Sequence, residues 1–388
     1  MAEGIFIQNQ KVCDIAFEDS QGKKLSRIRY DEEWLKNGFS LGPDAPLVPG
    51  WQYGWFGFLE DISPDRFGRR MAKEIDPDIS RESQYIYCVT PEFRQGAIEF
   101  ASDQGRHTDF SPLSLSAFAE MLSLWNMGQD IDEPFMRKLV KIAASSGGSR
   151  PKINIIDRND AIWLAKYPAT RDDVDVPLWE AVCLDLAGKC GIATPEFRLA
   201  ETPARHSLLV KRFDRENGKT IPFMSAMTAL QASDGESQSY LDLAGRMREL
   251  GMGSDLLELY RRMIFNVLVS NRDDHLRNHG FLRIDNSWRL SPAYDLESCP
   301  DKAGHCLALD DRGNFAVEPE NLVQMAPYYD IPEEAARQML AMMRDVVSDW
   351  EIVAARYGAT QADKKIMKHA FGRKKDFPAK SMKKFSLF

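Results

Sequence analysis

Residues 254–296 constrain the fold more than any other part of the chain. The run "SDLLELYRRMIFNVLVS" (254–270) sets Leu256, Leu257, Tyr260, Met263, Ile264, Val267 and Leu268 at helical spacing. This predicts a helix with one buried stripe and Ser254 as its N-cap. Directly after it, "NRDDHLRNHG" (271–280) crowds Asp273, Asp274, His275, Asn278 and His279 into seven positions. A buried helix delivers the loop behind it to a fixed place, and chemistry on a rigid support keeps its geometry. "HGFLRIDNSWRLSPAYD" (279–295) then reads as a strand, a turn at Asn286 and Ser287, and a second strand. In that register Asn278 and Asp295 are equally far from the turn and face each other across the open end of the hairpin, where the loop with Asp273 arrives.

Two carboxylates and an amide oxygen are hard ligands suited to magnesium, whose remaining positions phosphates and water fill. The spacing from Asp273 to Asn278, D-x-x-x-x-N, is that of the protein-kinase catalytic loop. There the Asp faces the acceptor hydroxyl and the Asn holds a metal. A second metal-binding Asp follows a short hairpin in kinases, and Asp295 fits that place. The plain alternative is that Asp273 and Asn278 only cap a turn. His275 and His279 have the i, i+4 spacing of a zinc pair, but no H-E-x-x-H and no nearby Cys accompanies them. An acid/base pair of Asp273 and Asp274 is set aside, because adjacent side chains seldom point the same way.

Phosphoryl transfer also needs a cradle for phosphates and a cation to hold them. In "SSGGSRPK" (145–152), Gly147 and Gly148 let backbone N–H groups approach an anion; the segment otherwise reads as an ordinary connection. In "AIWLAKYP" (161–168), strand alternation puts Ile162, Leu164 and Lys166 on one face. If that face is buried, Lys166 needs an anionic partner, for which Glu180 on the next helix is available; otherwise it snorkels to solvent. "HSLLVKRFDR" (206–215) reads as a strand entering a hinge, where the backbone of Lys211, Arg212 and Phe213 would hold an adenine edge, or as a plain edge strand.

Around these motifs the chain divides into three. Short strands at 4–30 and a helix start at "SPDRFGRRM", with Ser63 as N-cap and Pro64 first in the helix, belong to a β-rich unit of residues 1–130. Residues 131–215 hold the glycine-containing loop, three strands and "PLWEAVCLDLAGKCGI", an amphipathic helix ending near Gly191. Residues 216–388 are mainly helical. The 388 residues are 44% hydrophobic, enough for sizeable cores, and the formal net charge of −8 argues against broad nucleic-acid binding. Residues 361–388 run against this, with nine Lys/Arg and two Asp, a solvated tail or a partner contact. Six cysteines without a C-x-x-C pair, and no basic leader or long apolar run, predict a reducing cytoplasm and no membrane span.

"LLVKRFDR", "FNVLVSNRDDHLRNHGFL" and "LSPAYDL" together resemble the HipA family of serine/threonine kinases, the toxins of HipBA-type toxin–antitoxin pairs. The resemblance implies an α+β, protein-kinase-like bilobal fold with a small N-terminal β-rich subdomain and a mainly helical C-terminal lobe. It implies ATP and Mg2+ as cofactors and Asp273 as catalytic base. Asn278 and Asp295 would hold the metal, Lys166 would contact phosphates, and His275 and Tyr294 would line the nucleotide site. The loop with Gly147, Gly148, Ser149, Arg150 and Lys152 would cover the phosphates. Ser145, with neighbours Ser146 and Ser149, stands where family members autophosphorylate, and a phosphate there would repel those of ATP. This loop departs from the family's G-x-Q-x-K, and 216–253 keeps only a loose likeness.

The resulting expectation is an ATP-dependent protein kinase and toxin, acting on a cellular protein such as a translation factor. Its partner would be a HipB-like helix-turn-helix antitoxin, with DNA contacted mainly through that antitoxin. The alternatives are a small-molecule kinase of aminoglycoside-phosphotransferase type and a catalytically weak antitoxin-binding module.

Overall fold

The computed structural model describes residues 2–20, 22–103, 115–127, 137, 141–142, 150–170, 172–203, 205–233, 235–299 and 301–371. Ser145, Ser146, Gly147, Gly148, Ser149 and the tail from residue 372 lie outside the described residues.

The first sheet is antiparallel, with β1 (Glu3–Ile7), β2 (Gln10–Phe17), β3 (Ser26–Tyr30), β4 (Gln52–Gly54) and β5 (Glu99–Phe100) in the order β4-β3-β2-β1-β5. Gln8 and Asn9, with φ of 50° and 66°, form the tight turn between β1 and β2. Ile5, Val12, Ile15, Ile28 and Phe100 pack with Trp34 and Phe58 into this unit's own core. The helix Arg66–Ile75 starts two residues later than the sequence suggests. Its N-cap is Asp65, whose carboxylate accepts from Gly68 N at 2.7 Å, because the Ser63 hydroxyl already donates to the Leu59 carbonyl at 2.7 Å.

The second sheet contains β6 (Lys152–Ile156), β7 (Ile162–Lys166), β8 (Phe197–Glu201) and β9 (His206–Lys211), antiparallel in the order β6-β7-β9-β8. The helix Val176–Lys189 connects β7 to β8, and Gly191 follows its end at φ +77°. This helix is not amphipathic. It is buried on nearly all sides, wedged between the sheet and the helices Glu333–Ser348 and Trp350–Arg356.

Beyond a short hairpin of β10 (Arg215–Glu216) and β11 (Lys219–Thr220), β12 (Phe223–Ser225), β13 (Gly280–Ile284) and β14 (Ser287–Leu290) form a three-stranded sheet among the C-terminal helices. The helix Leu256–Leu268 exists as expected, but a 3-10 turn, Gly253–Asp255, precedes it and Ser254 does not cap it. Leu259 joins Leu256, Tyr260, Met263, Ile264 and Leu268 on the buried stripe, while Leu257 is exposed. The β13–β14 turn also differs by one residue. It is formed by Asp285 and Asn286, at φ 47° and 61°, the left-handed values a two-residue turn of this kind requires and Asp and Asn tolerate. Ile284 therefore pairs with Ser287 and Phe281 with Leu290, so Asn278 and Asp295 are not opposed in the ladder. Among the described residues no helix is long and apolar enough to cross a membrane.

A buried charge cluster joins the first unit to the rest through hydrogen bonds to its backbone. Arg212 donates to both Asp214 oxygens, to the carbonyls of Phe93 (2.7 Å) and Arg94 (3.0 Å), and to Asn154 Oδ1 (3.1 Å). Arg215 donates to the carbonyls of Glu92, Arg94 and Gly96, and Asp214 accepts from Gly96 N. Burial raises the Asp214 carboxyl, but the two guanidiniums outweigh it and bring it down to about 2. Its stabilising contribution is thus present above the ordinary carboxylate range and lost as pH falls through about 2. Arg212→Met is expected to cost on the order of 3 kcal/mol at neutral pH. Urea unfolding at pH 7 checks this, and a midpoint equal to that of the parent chain would contradict the cross-link.

Candidate functional site

The site forms where β7, the helix Val176–Lys189 and the loop after helix Leu256–Leu268 meet. Along β7, Trp163 and Ala165 are the buried face, contrary to the alternative in which the Ile162/Leu164 face is buried. Leu164 and Lys166 instead look into a cleft. Lys166 finds anionic partners there nonetheless: its Nζ lies 2.6 Å from Glu180 Oε1 and 2.7 Å from Asp295 Oδ1. Burial disfavours the ammonium, but Asp295 and Glu180 more than compensate and hold it strongly protonated. Burial likewise works against the Asp295 carboxylate, yet Lys166 and Lys152 pull it far below the usual range. Glu180 is pushed upward by burial, with Lys166 opposing. Asp295 sits at φ +56°, a left-handed conformation that costs about 1 kcal/mol in a non-glycine residue and persists only where the surroundings enforce it.

The same cleft is lined by Lys152, Lys211, Phe213, Asn278 and Tyr294. Phe213 and Tyr294 stand 5.3 Å apart, ring to ring, just beyond the end of β9. The N–H groups of Lys211 and Arg212 already donate to the Glu196 and Ile162 carbonyls, so an adenine edge would find its donor at Phe213 or beyond. The Arg212 side chain is turned inward. Arg150 is paired with Asp172 at 3.3 Å and Glu297 at 2.6 Å, and Lys152 with Asp65 at 3.2 Å.

The polar crowd at 271–280 separates into two sets. Asp274, His279 and Asn271 are buried. Asp274 accepts from the Tyr240 hydroxyl and from His279 Nε2, Asn266 Nδ2 donates to Tyr240 Oη at 2.9 Å, and Asn271 Nδ2 donates to Asn266 Oδ1 at 3.1 Å. This network pins the loop from below. Asp273 and His275 face a second, wider cleft that shares Gln95, Arg277 and Tyr294 with the first. Asn278 links the two, donating from Nδ2 to the Asp273 carbonyl at 3.3 Å. Asn278 and Asp295 thus share one cleft through the irregular segment after β14 rather than through strand pairing, and Asp273 opens onto the adjoining one. The Asp273 carboxylate is ion-paired with Lys302.

Among the described residues no three His, Cys, Asp or Glu side chains gather as a metal cage. Asn278 engages its amide nitrogen and Asp295 its Oδ1, and both residues line the first cleft. That donor set suits magnesium, which takes one or two protein oxygens and completes its shell with phosphates and water. Residues not anticipated from the sequence are Lys302, Asp65, Glu297 and the Tyr240–Asn266 support. All are brought in by contacts between distant segments.

The elements define an α+β, protein-kinase-like fold of two lobes with an additional N-terminal unit. The chain belongs to the HipA-like C-terminal domain family, whose model matches residues 144–351. Over nearly its whole length it also superimposes on HipA of Shewanella oneidensis MR-1, solved with HipB and its operator DNA. That match has a TM-score of 0.69 and 16% identity, covering 95% of this chain and 94% of that one. A Sinorhizobium fredii protein, Y4dM, whose name assigns it provisionally to the kinases, is 28% identical over 152 residues. That alignment spans 35% of this chain and only 37% of Y4dM.

Proposed function

We propose that this protein is an ATP-dependent serine/threonine protein kinase, the HipA-like toxin of a toxin–antitoxin pair. The observation that carries the reading is Lys166 held between Glu180, on the helix that follows its strand, and Asp295. A phosphate-binding lysine ordered by a helix glutamate and adjoining a metal-binding aspartate is the arrangement phosphoryl transfer needs. Lys166 and Lys152 would contact the phosphates, with Arg150 and the glycines at 147 and 148 above them. Phe213 and Tyr294 would flank the base, with the backbone from Lys211 onward at its edge and His275 at the nucleotide. Asn278 and Asp295 would hold Mg2+, which supplies charge neutralisation at the phosphate oxygens. Asp273 accepts the proton of the incoming hydroxyl while its oxygen bonds to the γ-phosphorus and ADP departs. Both carboxylates keep separate tasks because their surroundings differ: Asp295 is fixed by Lys166 in the field of Lys152, and Asp273 stands half-exposed on the acceptor side.

Under this reading Ser145, Ser146 and Ser149 are autophosphorylation candidates, and residues 1–130, 131–215 and 216–388 act as N-terminal subdomain, N-lobe and C-lobe. The HipB and operator DNA of the Shewanella complex support a HipB-like antitoxin as partner, with DNA reached mainly through it. The test is transfer of label from γ-labelled ATP with Mg2+ to proteins in a bacterial lysate. Labelled phosphoserine or phosphothreonine is the expected result. Transfer to small alcohols alone would favour a small-molecule kinase, and no transfer at all a binding module.

A further inference from the structure

The catalytic-side carboxylate and the metal-side carboxylate are served by different cations. Lys166 and Lys152 serve Asp295, whereas the Asp273 carboxylate pairs with Lys302, 29 residues further along the chain. Lys302 does not reach Asp273 as a wandering side chain. Its carbonyl accepts from Arg272 Nη1, next to Asp273. Cys299 N donates to the Ser270 carbonyl at 2.9 Å, His305 Nδ1 to the Asn271 carbonyl at 3.0 Å, and Cys306 Sγ to the Arg272 carbonyl at 3.4 Å. The segment around Lys302 is therefore tied to residues 270–272 through their three carbonyls and the Arg272 side chain. The loop 271–280 carries Arg272, whose Nη1 is turned to the Lys302 carbonyl, and Arg277, and the cation that pairs with the Asp273 carboxylate is Lys302.

We propose that Lys302 bridges the Asp273 carboxylate and the phosphoryl group in transfer, orienting the first and neutralising charge on the second. The inference rests on the reading of Asp273 as the base. In the step, the acceptor oxygen bonds to phosphorus, the bond from phosphorus to the ADP oxygen breaks, and the hydroxyl proton passes to Asp273. Lys302 neither gives nor takes a proton. Partial burial works against its charge, and Asp273 outweighs that burial, so the ammonium is kept. The side chains of Lys302 and Asp273 are 46% and 43% exposed, and a pair so solvated shifts a local equilibrium by about fivefold at most. It cannot lock the base. The oxygens of a nearby phosphoryl group compete for the ammonium on equal terms, and sharing it costs Asp273 little.

The experiment compares Lys302→Met and Lys302→Arg with the parent full-length chain. ATP and ADP affinities are measured by calorimetry with Mg2+ and turnover on a protein acceptor. Lys302→Met is expected to lower kcat by about 30-fold and to weaken ATP about fivefold relative to ADP, which lacks the γ-phosphate. Lys302→Arg should recover most of both. A methionine variant with unchanged kcat and unchanged ATP/ADP discrimination would reduce the contact to a surface ion pair. A raised kcat would make it an inhibitory clasp. Either result overturns the inference while leaving the kinase reading intact, whereas a parent chain that neither binds ATP nor transfers phosphate overturns both.

Discussion

Lys166→Met is expected to abolish nucleotide binding and to destabilise the fold by on the order of 3–5 kcal/mol, the usual cost of removing one member of a buried charge cluster. The methionine fills much of the lysine's volume, so packing contributes little. The loss comes from Glu180 and Asp295 facing each other with no ammonium between them. Two such carboxylates cannot both stay ionised, and one must take up a proton. The folded variant then binds protons that the unfolded chain does not, so its stability should fall as pH rises through neutrality. Pairing the change with Glu180→Gln removes the repulsion, and the double variant should regain much of the stability while remaining inactive. Thermal unfolding across pH 5 to 8 reads all of this. A single variant as stable as the parent at pH 8 would mean that the lysine is not the keystone of the cluster.

Asp273→Asn should leave folding and nucleotide affinity almost untouched and reduce kcat by about a thousandfold. A positioned general base contributes roughly 10²–10⁴. Asp273 is half-exposed and its pairing with Lys302 is solvated, so the structural cost stays under about 1 kcal/mol. The separation between intact ATP binding and lost turnover distinguishes a base from a metal ligand, whose loss would affect both. Quench-flow or steady-state turnover beside calorimetric ATP titration checks it. A variant that turns over at the parent rate would require another proton acceptor.

Much of this architecture is legible in local patterns. The helix before the loop 271–280 announces itself through apolar periodicity, and β7 and β9 through short apolar runs. The link between Lys166 and Glu180 is accessible because a lysine near a strand's end calls for an acid on the following helix. What fails is what local patterns do not encode. The hairpin turn falls at Asp285 and Asn286 because two consecutive residues must go left-handed, and a choice one residue later changes every cross-strand pair. Asp255 occupies the N-cap position of helix Leu256–Leu268, but its carboxylate is drawn away by Arg289 and Leu290 N and caps nothing. The cap of helix Arg66–Ile75 moves to Asp65, which also neutralises Lys152 far along the chain. Lys302 lies in irregular backbone, where no periodicity points to Asp273.

Arg212 and Arg215 belong to the segment leaving the hinge, yet they grip the main-chain carbonyls of residues 92–96. The segment that borders the first cleft is therefore bolted to the N-terminal unit and is not free-standing. A truncated chain that kept only the two lobes would take from Arg212 and Arg215 the carbonyls of residues 92–96 and from Lys152 the carboxylate of Asp65. Conversely, a force applied to the outer face of that unit would reach the cleft through these hydrogen bonds and the one from Gly96 N to Asp214, as a load on a lever arm reaches its pivot.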